Sequence, residues 1–124
     1  MLNALRIAGL LAFLAVMPNA NAEDVSGTWK GSFDFQGSAV TLTCHLSMSG
    51  DAVTGNIEGL PTTPTEIHDG KIEGDVVSFW INSDYEGNTY KILYRGTISA
   101  DGIKFSFGTE DGSWGSELTA IKEP

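Results

Sequence analysis

Residues 27–35 read Gly27-Thr28-Trp29-Lys30-Gly31-Ser32-Phe33-Asp34-Phe35. In an extended chain, successive side chains point to opposite faces, so this stretch has one apolar face and one polar face. The apolar face carries Trp29, Gly31, Phe33 and Phe35, and the polar face carries Lys30, Ser32 and Asp34. A period of two is typical of a half-buried β-strand. It continues along the chain, where no stretch has the 3.6-residue period of an amphipathic helix, so we predict an all-β protein.

Seven further segments follow the same alternation. We predict them as strands over residues 39–48, 52–58, 66–72, 76–83, 88–98, 103–108 and 114–122. Short turns that contain glycine separate most of them, including Ser49-Gly50, Glu73-Gly74 and Glu86-Gly87. Residues 59–65 contain two prolines, which cannot donate to a strand ladder, so this segment is predicted to be the longest loop.

Eight strands joined in sequence by short turns predict an up-and-down meander. An open sheet with this much apolar surface would leave two exposed edges, and pairing the first strand with the last removes them. The predicted fold class is therefore a closed eight-stranded antiparallel up-and-down barrel. A flattened sandwich of two sheets is the alternative that the periodicity also allows.

The first 22 residues have the composition of an export signal. Arg6 gives a positive start, residues 7–17 are apolar, and Ala20-Asn21-Ala22 matches a small-x-small cleavage site. Pro18 and Asn19 end the apolar run well short of the roughly 20 residues that a spanning helix needs. We therefore expect residues 1–22 to be a cleaved signal peptide, residues 23–124 to form one domain, and the product to be periplasmic or secreted without a membrane anchor.

The chain is acidic, with 16 Asp and Glu residues against 7 Lys and Arg residues and a net charge of −9. Such a surface repels nucleic acid and anionic membranes, so neither is an expected partner. Cys44 is the single cysteine, which excludes an internal disulfide. Because Cys44 falls within an alternating apolar run, we interpret it as a small buried hydrophobic residue rather than a nucleophile.

The Gly-x-Trp start at Gly27-Thr28-Trp29, the eight-stranded meander and the long loop after the third strand resemble the calycin superfamily, which comprises lipocalins and avidins. Together with Val53-Thr54-Gly55 after the first hairpin turn, this opening is also similar to a short lipocalin-like domain of exported bacterial proteins. The resemblance covers the pattern of residues 23–124 but few identities. It implies a barrel that holds a ligand in its mouth.

In lipocalins, a basic residue from the last strand typically covers the tryptophan of the first strand. Antiparallel closure places the end of the last strand beside the start of the first, so Lys122 is the predicted partner of Trp29, and the two together mark the closed end of the barrel. The alternative is a solvated Lys122 at a frayed strand end.

The resemblance to avidins implies polar residues that bond biotin two and six positions after the first tryptophan. This sequence has Gly31 and Phe35 there. The later tryptophans that enclose biotin in avidins are not matched either, since the seventh strand carries Phe105 and Phe107. Biotin binding is therefore not predicted.

If Trp29 marks the closed end, the loops at residues 36–38, 59–65, 84–88 and 109–113 surround the mouth. The residues predicted to bind a ligand there are Phe35, His68, Tyr85, Tyr90, Phe107 and Trp114. An acidic rim is predicted from Asp34, Asp84, Glu86, Glu110 and Asp111. This composition suits a small apolar or cationic molecule, and the predicted ligand is a small hydrophobic one. The alternative is a barrel that the aromatic side chains fill completely.

The orientation of His68 depends on whether the strand is regular. In a regular strand that pairs Ile72 with Val77, His68 faces the interior; a bulge at Asp69-Gly70 turns Ile67 inward instead. The bulge is favoured because Ile67 is the better core residue. An inward His68 would be the most plausible polar anchor in the barrel.

Trp80 falls on the outer face, and a hairpin turning at Glu86-Gly87 places it beside Leu93. Two large apolar residues outside a barrel indicate an interaction patch for a protein or a glycan, which is the alternative function. The expected oligomeric state is a monomer or a weak homodimer.

Catalytic motifs are missing from the sequence. It contains two histidines and one cysteine, with neither Gly-x-Ser-x-Gly nor His-Glu-x-x-His. The Asp-Gly pairs are typical of turns rather than of calcium sites. We therefore predict no enzymatic activity, no cofactor and no metal site.

Overall fold

The computed structural model describes residues 24–59 and 64–124, which contain nine β-strands. The strands are β1 (Gly27–Phe35), β2 (Ser38–Ser49), β3 (Ala52–Glu58), β4 (Thr65–Glu66), β5 (His68–Glu73), β6 (Val76–Tyr85), β7 (Asn88–Ser99), β8 (Gly102–Thr109) and β9 (Gly115–Lys122). β4 and β5 are separated only by Ile67, and both pair with β3, so they are two parts of one interrupted strand. The predicted signal peptide lies outside the described residues, as does most of the predicted loop at 59–65.

The sheet closes on itself. Its strand order is β2-β1-β9-β8-β7-β6-β5-β3-β4, and a further pairing of β2 with β3 completes the ring. All pairings are antiparallel, and β1 meets β9 where Trp29 pairs with Lys122 and Lys30 pairs with Ile121. The prediction of a closed eight-stranded antiparallel up-and-down barrel is confirmed, and the sandwich alternative is wrong. Within the described residues, no helix is long and apolar enough to cross a membrane.

Two tight turns lie at the mouth end of the barrel. Gln36 and Gly37, between β1 and β2, have φ angles of 53° and 85°, and Glu86 and Gly87, between β6 and β7, have angles of 51° and 82°. Positive φ at both central residues belongs to the turn whose twist matches that of antiparallel strands, and glycine takes this conformation at little cost. These turns therefore project as compact tips rather than as long loops.

The core follows the predicted alternation. Fully buried side chains come from every part of the barrel, including Leu42 of β2, Ile57 of β3, Ile81 of β6 and Phe105 of β8. Cys44 lies among them, and burial raises the pKa of its thiol to about 12. The thiol is therefore protonated and enclosed at neutral pH, as expected of a small core residue.

The closed end is built around Trp29. Its indole is 6% exposed, and its Nε1 donates a hydrogen bond to the backbone oxygen of Val25 over 2.9 Å. Val25 is fully buried although it precedes β1. The Nζ atom of Lys122 lies 5.8 Å from the centroid of the indole, within the range of a cation–π contact. Lys122 is thus held over Trp29 rather than frayed.

β5 contains the bulge. The pairing of β5 with β6 shifts between His68 and Lys71, and Asp69 has a φ of 52°. The shift reverses the orientation of the residues on either side, because side chains in a strand alternate between faces. Ile67 is buried as a result, and His68 lies on the outer face against Trp80.

Candidate functional site

The barrel encloses a cavity at the end opposite Trp29. Its volume is about 570 Å³, which lies within the range of small-molecule sites in proteins. The residues that line it are Phe33, Phe35, Gln36, Val40, Gly59, Ser83, Asp84, Tyr85, Tyr90, Ile92, Tyr94, Phe107, Thr109, Ser113 and Trp114. The described residues thus leave the mouth half of the barrel open, while the half around Trp29 is packed.

Four aromatic rings form one side of the cavity, which we call the aromatic wall: Phe33, Phe35, Phe107 and Trp114. Phe33 and Phe107 pack edge to face with centroids 5.0 Å apart, and Trp114 lies within 6.1 Å of the other three rings. Such edge-to-face contacts are favourable and fix the rings relative to one another. The wall is therefore a preformed apolar surface.

The loop before β9 holds Trp114 in position. The backbone nitrogen of Trp114 donates to the Thr109 hydroxyl over 3.0 Å, and the backbone nitrogen of Thr109 donates to the Trp114 oxygen over 2.9 Å. Within the loop, the carboxylate of Asp111 accepts a hydrogen bond from the backbone nitrogen of Ser113, and this bond lowers the pKa of Asp111. Trp114 thus sits on a closed turn.

Two hairpin tips meet at the mouth. Gln36, in the turn between β1 and β2, donates a hydrogen bond from Nε2 to the hydroxyl of Tyr85, at the end of β6, over 3.1 Å. The rings of Phe35 and Tyr85 pack edge to face at 5.6 Å. These hairpins are not neighbours in the ring of strands, so we call this pair of interactions the cross-mouth contact.

Tyr94 lies deeper, two residues beyond Ile92 along β7. Its ring is stacked between Phe79, at 5.0 Å, and Phe107, at 4.9 Å. The side chain is 4% exposed, and burial together with the nearby Cys44 thiol raises the pKa of its hydroxyl. Sequence alternation places Tyr94 inside the barrel, but it gives no depth, so Tyr94 was not among the predicted ligand-binding residues.

Charged groups are few at the cavity. Asp84 is the one carboxylate among the described lining residues, and its Oδ1 already accepts a hydrogen bond from Thr89 over 2.6 Å. Glu110 forms an ion pair with Lys91 at 3.4 Å and, like Asp34, Glu86 and Asp111, does not line the cavity. Of the five residues predicted to form an acidic rim, only Asp84 is therefore among the described residues that line the cavity.

The structure brings five of the six predicted ligand-binding residues together. Phe35, Tyr85, Tyr90, Phe107 and Trp114 all line the cavity. The placement of His68 in this set is wrong, because the bulge in β5 turns its side chain to the outer face. There its ring stacks on Trp80 with centroids 4.3 Å apart.

The outer patch contains the predicted pair. Trp80 pairs with Leu93 across β6 and β7, and Leu93 is 42% exposed. The indole of Trp80 is already engaged within the chain: besides the stacked His68, Lys91 Nζ lies 4.5 Å from the ring centroid, and the indole nitrogen donates to Asp69 over 2.8 Å. These contacts leave Trp80 half-buried and reduce the free apolar area of the patch.

Within residues 24–59 and 64–124, no three His, Cys, Asp or Glu side chains are arranged to hold a metal ion. Neither a protein-family model, nor a curated protein, nor a solved structure matches the chain. The architecture is a closed eight-stranded antiparallel barrel, which is consistent with a calycin-like fold. A fold of this kind does not define a function, whereas the cavity offers a defined site.

Proposed function

We propose that this protein is an exported, lipocalin-like binding module that holds a small hydrophobic molecule in the mouth of its barrel. The cavity lined by the aromatic wall carries the proposal. A site of about 570 Å³ whose surface is predominantly apolar, with polar groups at defined positions, has the character of a small-molecule site. The export half of the proposal rests on the composition of residues 1–22.

Apolar surface in a concave, preformed cavity favours ligand burial. Removing apolar surface from water is worth roughly 25 cal/mol per Å². A rigid wall also lowers the conformational entropy that is lost on binding, because its rings are already fixed by contacts with one another. The arrangement around Phe107 and Trp114 meets both conditions without rearrangement of the barrel.

The outer patch around Trp80 and Leu93 supports the alternative function, interaction with a protein or a glycan. This alternative is the weaker one, because His68, Asp69 and Lys91 occupy the indole that a partner would contact.

The test is titration of the purified mature protein with N-phenyl-1-naphthylamine, a neutral dye whose fluorescence rises in apolar surroundings. We expect saturable binding of one dye per chain. Trp114→Ala should weaken binding, because it removes part of the aromatic wall, while Trp80→Phe on the outer face should leave it unchanged. An absence of saturable binding, or equal losses in the two variants, would contradict the proposal.

Export is tested separately by the intact mass of the protein isolated from its host. A chain that begins at Glu23 is expected. A chain that retains residues 1–22 would contradict the export half of the proposal and leave ligand binding unaffected.

A further inference from the structure

Tyr94 carries a polar group that the fold does not satisfy. Its side chain is 4% exposed, and its hydroxyl makes no hydrogen bond with any described residue. Buried polar atoms in proteins nearly always have a partner, and an unpaired hydroxyl costs folding free energy. A buried tyrosine hydroxyl without a partner therefore calls for an explanation.

Within the part of the chain that the structure describes, the hydroxyl of Tyr94 can find a partner in the cavity. Among the described residues, the fully enclosed side-chain atom without a partner is Asn56 Oδ1, so the Tyr94 hydroxyl keeps some accessible surface. Tyr94 lines the cavity, and the rings of Phe79 and Phe107 cover both faces of its own ring. The remaining accessible part of the side chain is its edge and hydroxyl.

The protonated hydroxyl has a proton to donate, and no strong acceptor among the described residues receives it. Burial raises the pKa of Tyr94, so the hydroxyl is protonated at neutral pH. The nearby thiol of Cys44 is protonated too, since burial raises its pKa to about 12, and a thiol is a weak acceptor. A molecule that brings an oxygen acceptor into the cavity would complete the hydrogen bond.

The residues that line the cavity also disfavour a ligand with a negative charge. None of the described lining residues is Lys, Arg or His, so an anionic group would be buried without a counter-ion. An unpaired buried charge is far more costly than an unpaired neutral polar group. The net charge of −9 adds to the repulsion of anions.

We propose that the occupant of the cavity is an apolar molecule that carries no anionic group and has a hydrogen-bond-accepting oxygen, such as a carbonyl or ether oxygen, to which the Tyr94 hydroxyl donates. This inference rests on the proposed function. It assigns to Tyr94 the role of the deep polar anchor that His68 cannot fill from the outer face.

The test uses two probes of nearly equal shape. 2-Acetylnaphthalene and 2-isopropylnaphthalene differ in that a carbonyl oxygen replaces a methyl group, and 2-naphthoate adds an anionic relative. Each probe displaces N-phenyl-1-naphthylamine from wild-type protein, from Tyr94→Phe and from Thr97→Val. Thr97 is an exposed residue on the same strand and does not line the cavity, so Thr97→Val is the matched loss of a hydroxyl.

Tyr94→Phe should weaken the binding of 2-acetylnaphthalene about threefold to tenfold relative to 2-isopropylnaphthalene, which is the effect of one neutral hydrogen bond. Thr97→Val should change neither probe, and 2-naphthoate should bind wild-type protein more weakly than 2-acetylnaphthalene. If Tyr94→Phe left the ratio of the two affinities unaltered, the role of Tyr94 as an anchor would be overturned. Tight binding of 2-naphthoate would overturn the selection against anionic ligands.

The two proposals fail in different ways. If wild-type protein binds neither the dye nor any naphthalene, the proposed function fails, and the inference about Tyr94 fails with it. If both neutral probes bind but respond equally to Tyr94→Phe, the binding module stands and only the role of Tyr94 is wrong.

Discussion

The side-chain amide of Gln36 donates a hydrogen bond to the hydroxyl of Tyr85 over 3.1 Å and so joins the tips of two hairpins that are not neighbours in the barrel. Tyr85 is 36% exposed, and its ring also packs against Phe35. The cross-mouth contact therefore lies between the cavity and solvent. Under the proposed function, a ligand that enters or leaves would pass beside this contact or separate it.

Tyr85→Phe removes the acceptor of this hydrogen bond and keeps the aromatic ring. We expect the association and dissociation rates of N-phenyl-1-naphthylamine to rise together, by about twofold to tenfold, since one exposed hydrogen bond contributes roughly 0.5–1.5 kcal/mol at most. Stopped-flow fluorescence measures both rates. Rates equal to those of wild-type protein would mean that the cross-mouth contact does not restrict entry.

Trp29→Ala should lower the free energy of unfolding by about 3–5 kcal/mol, because it leaves a large cavity at the packed end of the barrel and an unpaired backbone oxygen on Val25. Urea denaturation followed by circular dichroism measures the change. Trp80→Ala is the matched control: that indole is half-buried on the outer face and should cost clearly less. Equal losses in the two variants would argue against Trp29 as the centre of the closed end.

Gly96→Ala should destabilise the barrel by about 1–3 kcal/mol through overpacking. A Cβ atom at this position would lie 2.6 Å from Cγ2 of Ile103 and 2.7 Å from Cε1 of Phe105, both of which are fully buried. Gly115→Ala is the control, because the nearest atom to its Cβ would be 3.3 Å away. Denaturant midpoints compare the two, and a larger loss for Gly115→Ala would contradict this account of the packing.

Alkaline pH should weaken the fold through Cys44. Burial raises the pKa of its thiol from 9.0 to about 12, so the folded state binds its proton more tightly than the unfolded state does. This contribution to stability is fully present below pH 9 and is lost as pH rises from about 9 to about 12, by up to roughly 1.4 kcal/mol per pH unit. Urea denaturation across this range should show a smaller decline for Cys44→Ala than for wild-type protein. Identical declines would contradict the prediction.

Tyr94→Phe should leave the unliganded protein as stable as wild type or make it more stable, because the hydroxyl that it removes has no partner among the described residues. Thermal unfolding without ligand measures this effect. A clear loss of stability would indicate that the hydroxyl has a structural role in the empty barrel.

Period-two alternation predicts the strands of the barrel well. Burial of one face of each strand requires an apolar residue at every second position, and this requirement can be recognised within a short segment of sequence. The strand pairing that closes the barrel at Trp29 and Lys122 is predicted for a different reason, because closure removes two exposed edges and the resemblance to lipocalins implies this contact. The alternating pattern does not reveal where a single residue is inserted into a strand as a bulge. The bulge near Asp69 reverses the faces of β5, so the orientation of His68 could not be settled from the pattern alone.

The cavity was predictable in position but not in depth. Phe107 and Trp114 belong to segments that end at the mouth, so strand direction places them there. Tyr94 and Phe33 lie further in, and whether such residues line a cavity or fill the core depends on how the rings pack across the barrel. That packing is a property of the assembled structure and has no signal in a single strand.

The pairing of Trp29 with Lys122 joins β1 to β9, which are far apart in sequence. All the other strand pairings of the described barrel join strands that are close in sequence. Bringing distant segments together costs the most chain entropy, and such contacts slow folding. The hairpins can form from local segments, but the β1–β9 seam requires nearly the whole domain to be in place. Until β1 pairs with β9, each of these strands has one unpaired edge. The unpaired edge of β1 in one chain could then pair with β9 of a second copy of the chain. The pairing of Trp29 with Lys122, which closes one barrel, is therefore also the place where two chains would form a domain-swapped dimer.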